Sequence, residues 1–254
     1  MRRLILGDKR LRVRDEGESS QCPLVLVHGA GASSVTWMDV VRRASGRRRC
    51  VAPDLPGHGQ SDAWHDVSLD LYRDAVGTVC AKLDVPRAVL VGHSMGGAIA
   101  LRVALSWPER VAGLILVATG ARLKVAPALH EVLARRFDEY GEALRLSAFS
   151  PSTPRDVVDR WLAVAIGAPQ EVCAADFRAL DGFDVRPRLA EIKIPTLVIG
   201  GADDLLTPPR LQRELQAGLP NARVEIVPHA GHMVMWERPD AFHAAFDPFL
   251  AEVP

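Results

Sequence analysis

Six short runs rich in apolar residues, at 23–27, 50–52, 88–91, 114–117, 196–199 and 224–227, punctuate the chain. Runs of that length suit strands buried on both faces, as in a parallel sheet with helices above and below. Between them, residues 69–83, 98–107, 211–219 and 239–250 place apolar side chains three and four positions apart. That is the period of a helix with one buried stripe, and Pro108 stops the second of these segments. Residues 2–15 read as two further strands turning at Asp8-Lys9. The expected fold is α/β: a mostly parallel eight-stranded sheet flanked by helices.

The alternation lapses between about 121 and 184. Only helix-like segments occur there, at 128–145, 155–166 and 172–180, separated by Pro151, Pro154 and Pro169. An insertion whose two ends return to the same sheet would sit as a cap over the edge where the strands end. The expected organisation is one domain over 1–254, with its core at 1–120 and 185–254 and a helical cap at about 121–184. No internal repeat or low-complexity stretch interrupts this plan.

Charge changes the picture little. The 31 basic and 31 acidic residues cancel, so no global field favours nucleic acid or an anionic membrane. The run Arg47-Arg48-Arg49, with Arg42 and Arg43 nearby, reads as a solvated surface at a strand entrance. Cys22, Cys50, Cys80 and Cys173 are scattered without a CxxC pair or metal-ligand spacing, which suits reduced thiols and a cytoplasmic protein; only Cys22 and Cys50 lie on segments that could be neighbours. The apolar run near Met1 is too short for a signal peptide, and no stretch is long enough to span a membrane.

The chemistry concentrates at Gly92-His93-Ser94-Met95-Gly96-Gly97, between a strand and a helix. G-x-S-x-G in that context is a nucleophile elbow: the chain reverses sharply and lifts the serine oxygen above the sheet. Serine needs a base, and the base needs an orienting acid. In this arrangement the acid and then the base follow the serine in the chain. The strand at 196–199 leads into Gly201-Ala202-Asp203-Asp204, and the strand at 224–227 leads into Pro228-His229-Ala230-Gly231-His232. Both loops fall at the strand ends where open α/β sheets bind ligands. The residues themselves leave Asp203 and Asp204 both open, and likewise His229 and His232.

From about Pro23 onward the chain resembles the α/β-hydrolase superfamily of esterases, lactonases and related enzymes. The resemblance rests on His28-Gly29-Ala30-Gly31, Asp54-Leu55-Pro56-Gly57-His58-Gly59-Gln60-Ser61, the elbow, Gly201-Ala202-Asp203-Asp204 and Gly231-His232. It implies a catalytic set of Ser94, Asp204 (three positions after the glycine) and His232 (directly after one). It also implies oxyanion donors at the backbone N–H groups of Met95 and Ala30. His28 and His58 are then expected to order their loops.

The implied reaction is hydrolysis of a small-molecule carboxylic ester through an acyl-enzyme, with no metal or cofactor. Relatives that use an aspartate nucleophile, such as dehalogenases and epoxide hydrolases, are disfavoured by Ser94. Lactonases, carbon–carbon bond hydrolases, cofactor-free haloperoxidases and a slow-turnover small-molecule receptor all keep the same three residues. Leu205, Met233, Leu123, Phe149, Trp161 and Phe177 are the expected pocket residues; Met95, Trp236, Val125 and Phe183 are further apolar candidates. With no evident anion clamp, the expected substrate is a small to medium, largely uncharged ester. Oligomeric state is not encoded in any of these features.

Overall fold

A computed structural model describes every residue except His65 and Ile166. One eight-stranded sheet organises the chain, in the order β1-β2-β4-β3-β5-β6-β7-β8. β1 (Arg2–Leu6) and β2 (Lys9–Glu16) form an antiparallel hairpin whose turn is Gly7-Asp8, one position earlier than expected. β2 then pairs antiparallel with β4 (Cys50–Pro53). β3 (Leu24–Val27), β5 (Ala88–His93), β6 (Val111–Val117), β7 (Thr196–Gly201) and β8 (Ala222–Val227) continue in parallel register.

The central strands are apolar on both faces, as expected for strands covered above and below. Along β3, Leu24 and Leu26 enter one core while Val25 and Val27 enter the other. β5 divides its residues in the same way, Val89 and Val91 against Ala88 and Leu90. Burying each of these valine and leucine side chains stabilises the fold by about 1.5–3 kcal/mol. The first core lies beneath α1 (Met38–Ala44) and α10 (Pro239–Glu252), through Val40, Val41, Phe242 and Phe246. The second lies beneath α2 (Leu69–Lys82), α3 (Met95–Ser106) and α8 (Pro209–Gly218), through Tyr72, Ile99 and Leu215. The outer strands differ: β1 presents Arg2 and Arg3, and β8 presents Arg223 and Glu225. Charge on sheet edges discourages pairing with another chain.

The insertion between β6 and β7 holds α4 (Pro127–Arg135), α5 (Tyr140–Ser147), α6 (Arg155–Ala165) and α7 (Gln170–Asp181). The single helix expected over 128–145 is therefore two. Arg136 leaves helical geometry at φ −140°, ψ 47°, and a short 3-10 turn at Phe137–Glu139 re-aims the chain. The residue expected to end the next helix, Ile166, lies outside the described residues. α9 (Val234–Glu237) is a single short turn before α10.

The arginine run departs from expectation. Arg48 is buried, and its guanidinium donates to the carbonyl oxygens of Cys22, Leu250, Val253 and Pro254 at 2.5–3.1 Å. It thus satisfies carbonyls that the end of α10 leaves open, where a cation also suits the helix dipole. Arg49 makes a two-point contact with Asp15 at 2.8 and 3.0 Å. Cys22, Cys50, Cys80 and Cys173 are all free thiols. No helix among the described residues is long and apolar enough to cross a membrane.

Candidate active site

The sharp turn between β5 and α3 is made by one residue. Ser94 sits at φ 53°, ψ −116°, and stays half-buried while its neighbours are enclosed. A non-glycine residue in that region costs roughly 1–3 kcal/mol and persists only where its surroundings enforce it. Here the Ser94 N–H donates to Val117 O at 2.9 Å, and the Thr119 hydroxyl donates to Ser94 O at 2.8 Å. Two glycines make room. A Cβ on Gly92 would stand 2.2 Å from Gly96 O, and one on Gly96 would stand 2.1 Å from Val27 O. Both contacts are with backbone, so no side-chain movement could relieve them.

The loop after β7 delivers Asp204, which is buried. Its Oδ1 accepts from the N–H groups of Leu206 and Thr207, each at 2.8 Å. Its Oδ2 accepts from the Thr207 hydroxyl at 2.7 Å and from His232 Nδ1 at 2.9 Å. Burial alone would raise the Asp204 pKa; the charge of His232 and hydrogen bonds from His232 and Thr207 outweigh it and hold the carboxyl below its usual range. With Nδ1–H given to Asp204, the His232 ring keeps Nε2 for accepting a proton. Thr207 also reaches His232 Nδ1 at 3.2 Å, a support that sequence inspection missed.

The rivals separate cleanly. Asp203 turns away and accepts from the Ser150 hydroxyl at 2.6 Å. His229 is exposed, at φ 56°, and its carbonyl accepts from the Ser152 hydroxyl at 3.3 Å.

His232 is fixed by its backbone as well as its ring. Its N–H donates to Ala148 O at 2.8 Å, and its carbonyl accepts from His93 Nε2 at 3.0 Å. Buried Glu237 clamps both flanking residues, its Oε1 accepting from Gly231 N at 2.9 Å and Met233 N at 3.1 Å. Its Oε2 accepts from Ser150 N at 2.8 Å and from the Thr153 hydroxyl, tying the insertion to the same loop. No local sequence signal marks His93, whose partner His232 is 139 residues away, or the second half of the Glu237 clamp, whose partners Ser150 and Thr153 are 87 and 84 residues away.

Ser94, His232 and Ala30 line one cavity of about 710 Å³, within the usual size of a small-molecule site. Leu123, Trp161, Phe177, Leu205 and Met233 line it. Phe149 does not; it is buried and packs edge-on against Trp161 at a ring separation of 5.3 Å, one layer behind the wall. Met95 is wholly buried in the second core, so only its backbone faces the elbow. Trp236 donates from Nε1 to Thr36 O at 2.9 Å and anchors the segment that follows His232, and Phe183 is core. Val125 does line the cavity. The inner wall adds Val132, Tyr140 and Leu144, all buried, which periodicity alone marked as helix. The exposed end carries Arg122, Lys124, Arg186 and Arg210 with Glu214.

A strand–serine–helix elbow, with an Asp-bound histidine from two later strand ends, defines a class of α/β enzymes. Residues 24–245 match the model of the alpha/beta hydrolase family, and the chain belongs to that family. It is 32% identical to 2-hydroxy-6-oxo-6-phenylhexa-2,4-dienoate hydrolase of Burkholderia cepacia, over 97% of this chain and 93% of that protein. It is also 32% identical to pimeloyl-[acyl-carrier protein] methyl ester esterase of Nitrosomonas europaea, over 88% of this chain and 94% of that one. Among solved structures, the enol-lactonase from Burkholderia xenovorans LB400 superposes with a TM-score of 0.88 at 26% identity, covering 98% of this chain and 100% of that one. The chain is a hydrolase by family, and its relatives span several bond types.

Proposed function

We propose that the protein is a carboxylic ester hydrolase working through Ser94, His232 and Asp204. The observation that carries this reading is the 2.9 Å contact between His232 Nδ1 and Asp204 Oδ2, made beside a serine held at positive φ in the same cavity. Ser94 Oγ attacks the ester carbonyl as His232 Nε2 takes its proton, and Asp204 stabilises the imidazolium. The N–H groups of Met95 and Ala30 receive the oxyanion; losing one such donor typically costs about 3 kcal/mol of transition-state stabilisation. The leaving alcohol takes the proton from His232. Water, deprotonated by the same ring, then releases the acid and restores Ser94.

The insertion acts as a cap and completes the cavity. Its buried end, at Val132, Leu144 and Trp161, favours a small to medium uncharged acyl group, while charged side chains stand at the exposed end. The ester esterase from Nitrosomonas europaea supports ester chemistry. Four free thiols suit a reducing, cytoplasmic setting.

A second reading, carbon–carbon bond hydrolysis, is favoured by the Burkholderia cepacia relative, because the dienoate in its name contains no ester linkage. A panel of simple esters, lactones and a chromophoric 2-hydroxy-6-oxodienoate discriminates the two. Wild type should turn over esters repeatedly, and Ser94→Ala should lose that turnover with an unchanged circular dichroism spectrum. Near-normal ester turnover by Ser94→Ala overturns the mechanism. Turnover of the dienoate alone overturns the choice of ester.

A further inference from the structure

Asp176, on α7, is completely buried, and among the described residues every hydrogen-bond partner of its carboxylate lies outside the insertion. Oδ2 accepts from the Gly31 N–H at 2.9 Å and contacts His58 Nε2 at 2.8 Å. Oδ1 accepts from the Tyr72 hydroxyl at 2.5 Å. A carboxylate taken out of water is strongly disfavoured unless paired and hydrogen-bonded. The core supplies that compensation from the loop after β3, the loop after β4, and α2.

The Gly31 contact matters most, because Gly31 follows Ala30. The two peptide units around Ala30 are held from opposite sides. On one side, Gly29 O accepts from His28 Nδ1 at 2.8 Å and from the Ala32 N–H at 3.3 Å, which fixes the plane carrying the Ala30 N–H. On the other, the Gly31 N–H is committed to Asp176; one peptide unit further, Gly31 O accepts from the Gly167 N–H at 2.8 Å. Gly31 has φ +65°, and a Cβ there would approach Cys173 Sγ, one turn before Asp176, to 2.9 Å. The loop therefore lies directly against α7. Both anchors on its Gly31 side, Asp176 and Gly167, belong to the insertion.

We infer that Asp176 is a positioning residue that aims the Ala30 N–H at the oxyanion, so that seating of the insertion completes the oxyanion hole. Hydrogen bonds to an ionised acceptor are shorter and stronger than neutral ones. A peptide N–H held by a buried carboxylate is accordingly a stiff anchor for the adjoining unit. His58 shares Oδ2 with Gly31 and keeps that oxygen in place from the core side, whereas Tyr72 only satisfies the opposite oxygen.

This inference rests on the ester-hydrolase reading, and the test separates the two. Steady-state kinetics on an activated ester and inhibition by an arylboronic acid, which forms a tetrahedral adduct on serine, are measured for wild type, Asp176→Asn and Tyr72→Phe. Asp176→Asn should lower kcat about tenfold, less than outright removal of an oxyanion donor, with KM within about twofold. Its boronate inhibition constant should rise by the same factor as kcat falls. Tyr72→Phe keeps the Gly31 contact and should stay within about twofold of wild type in kcat, even where its melting temperature falls. If Asp176→Asn fails to fold, Asp176→Glu, which keeps the charge but displaces it by one methylene, carries the same expectations. Unchanged kcat and boronate affinity in a folded Asp176 variant overturn the inference, leaving Asp176 a tie between insertion and core. Equal kcat losses in Asp176→Asn and Tyr72→Phe, without a boronate effect, also overturn it. Wild type inactive on esters and blind to the boronate would instead overturn the ester-hydrolase reading.

Discussion

Acidification should unfold this protein through two histidines that the fold keeps neutral. His28 donates from Nδ1 to Gly29 O at 2.8 Å and accepts at Nε2 from the Leu55 N–H at 3.1 Å, so a second ring proton would face a donor. Burial first, and then the neighbouring His58, lower its pKa to about 4. His93 commits Nε2 to the His232 carbonyl, and its buried Nδ1 has no partner among the described residues. Burial, followed by the charge of His232, lowers it to about 3. An unfolded histidine titrates at about 6.5. Below that value the unfolded chain takes up two protons that the folded chain refuses, so stability is full above it and is lost as pH falls. The slope is about 1.4 kcal/mol per pH unit for each histidine. Between pH 7 and pH 5 the pair removes about 4 kcal/mol, against a typical total of about 5–15 kcal/mol. Urea unfolding followed by circular dichroism at several pH values in that window measures the slope. His93→Asn deletes one titrating group, and its slope should be shallower than that of wild type by about 1.4 kcal/mol per unit. A variant with the wild-type slope would refute the reasoning. Asp204 acts in a separate window: its lowered carboxyl pKa gives stabilisation that is lost only as pH falls below about 4.

Other expectations concern the site. Asp204→Asn keeps the shape but no longer selects the Nδ1–H tautomer of His232, so kcat should fall by about 10³–10⁴ with a smaller effect on KM; a loss under tenfold in ester kinetics would remove Asp204 from that role. Trp161→Ala deletes a buried ring from the cavity wall. It should shift the preferred acyl group toward longer or bulkier chains in the ester panel and destabilise the fold by about 3–5 kcal/mol. An unchanged acyl-length profile would mean that the acyl group binds elsewhere.

What was legible in the sequence was local. The both-face apolar runs of β3, β5 and β6 are fixed by strand periodicity, and the Gly92–Gly96 spacing is fixed by a turn that closes within five residues. The choice of Asp204 over Asp203 came from a motif resemblance. In the structure the Asp204 carboxylate reaches His232, while that of Asp203 reaches Ser150. The expected helix over 128–145 failed at Arg136, where the chain must turn to lay α5 against the cavity and periodicity carries no stop signal. Arg48 looked solvated because a basic run usually is, yet the carbonyls it satisfies at Leu250 and Val253 lie more than 200 residues away.

The sequence by itself thus determined the order of strands and helices, the elbow that presents Ser94 and the loops that carry His232 and Asp204. Each is written in spacing along a few turns or strands. Only the tertiary structure decided which charges are buried and against what. Asp176 meets Gly31 across 145 positions, Tyr72 across 104, and Glu237 meets Ser150 across 87. A lone acid in an amphipathic helix has the same signature whether it faces water or a buried loop. The difference lies in desolvation and pairing, which exist only once distant segments have packed together.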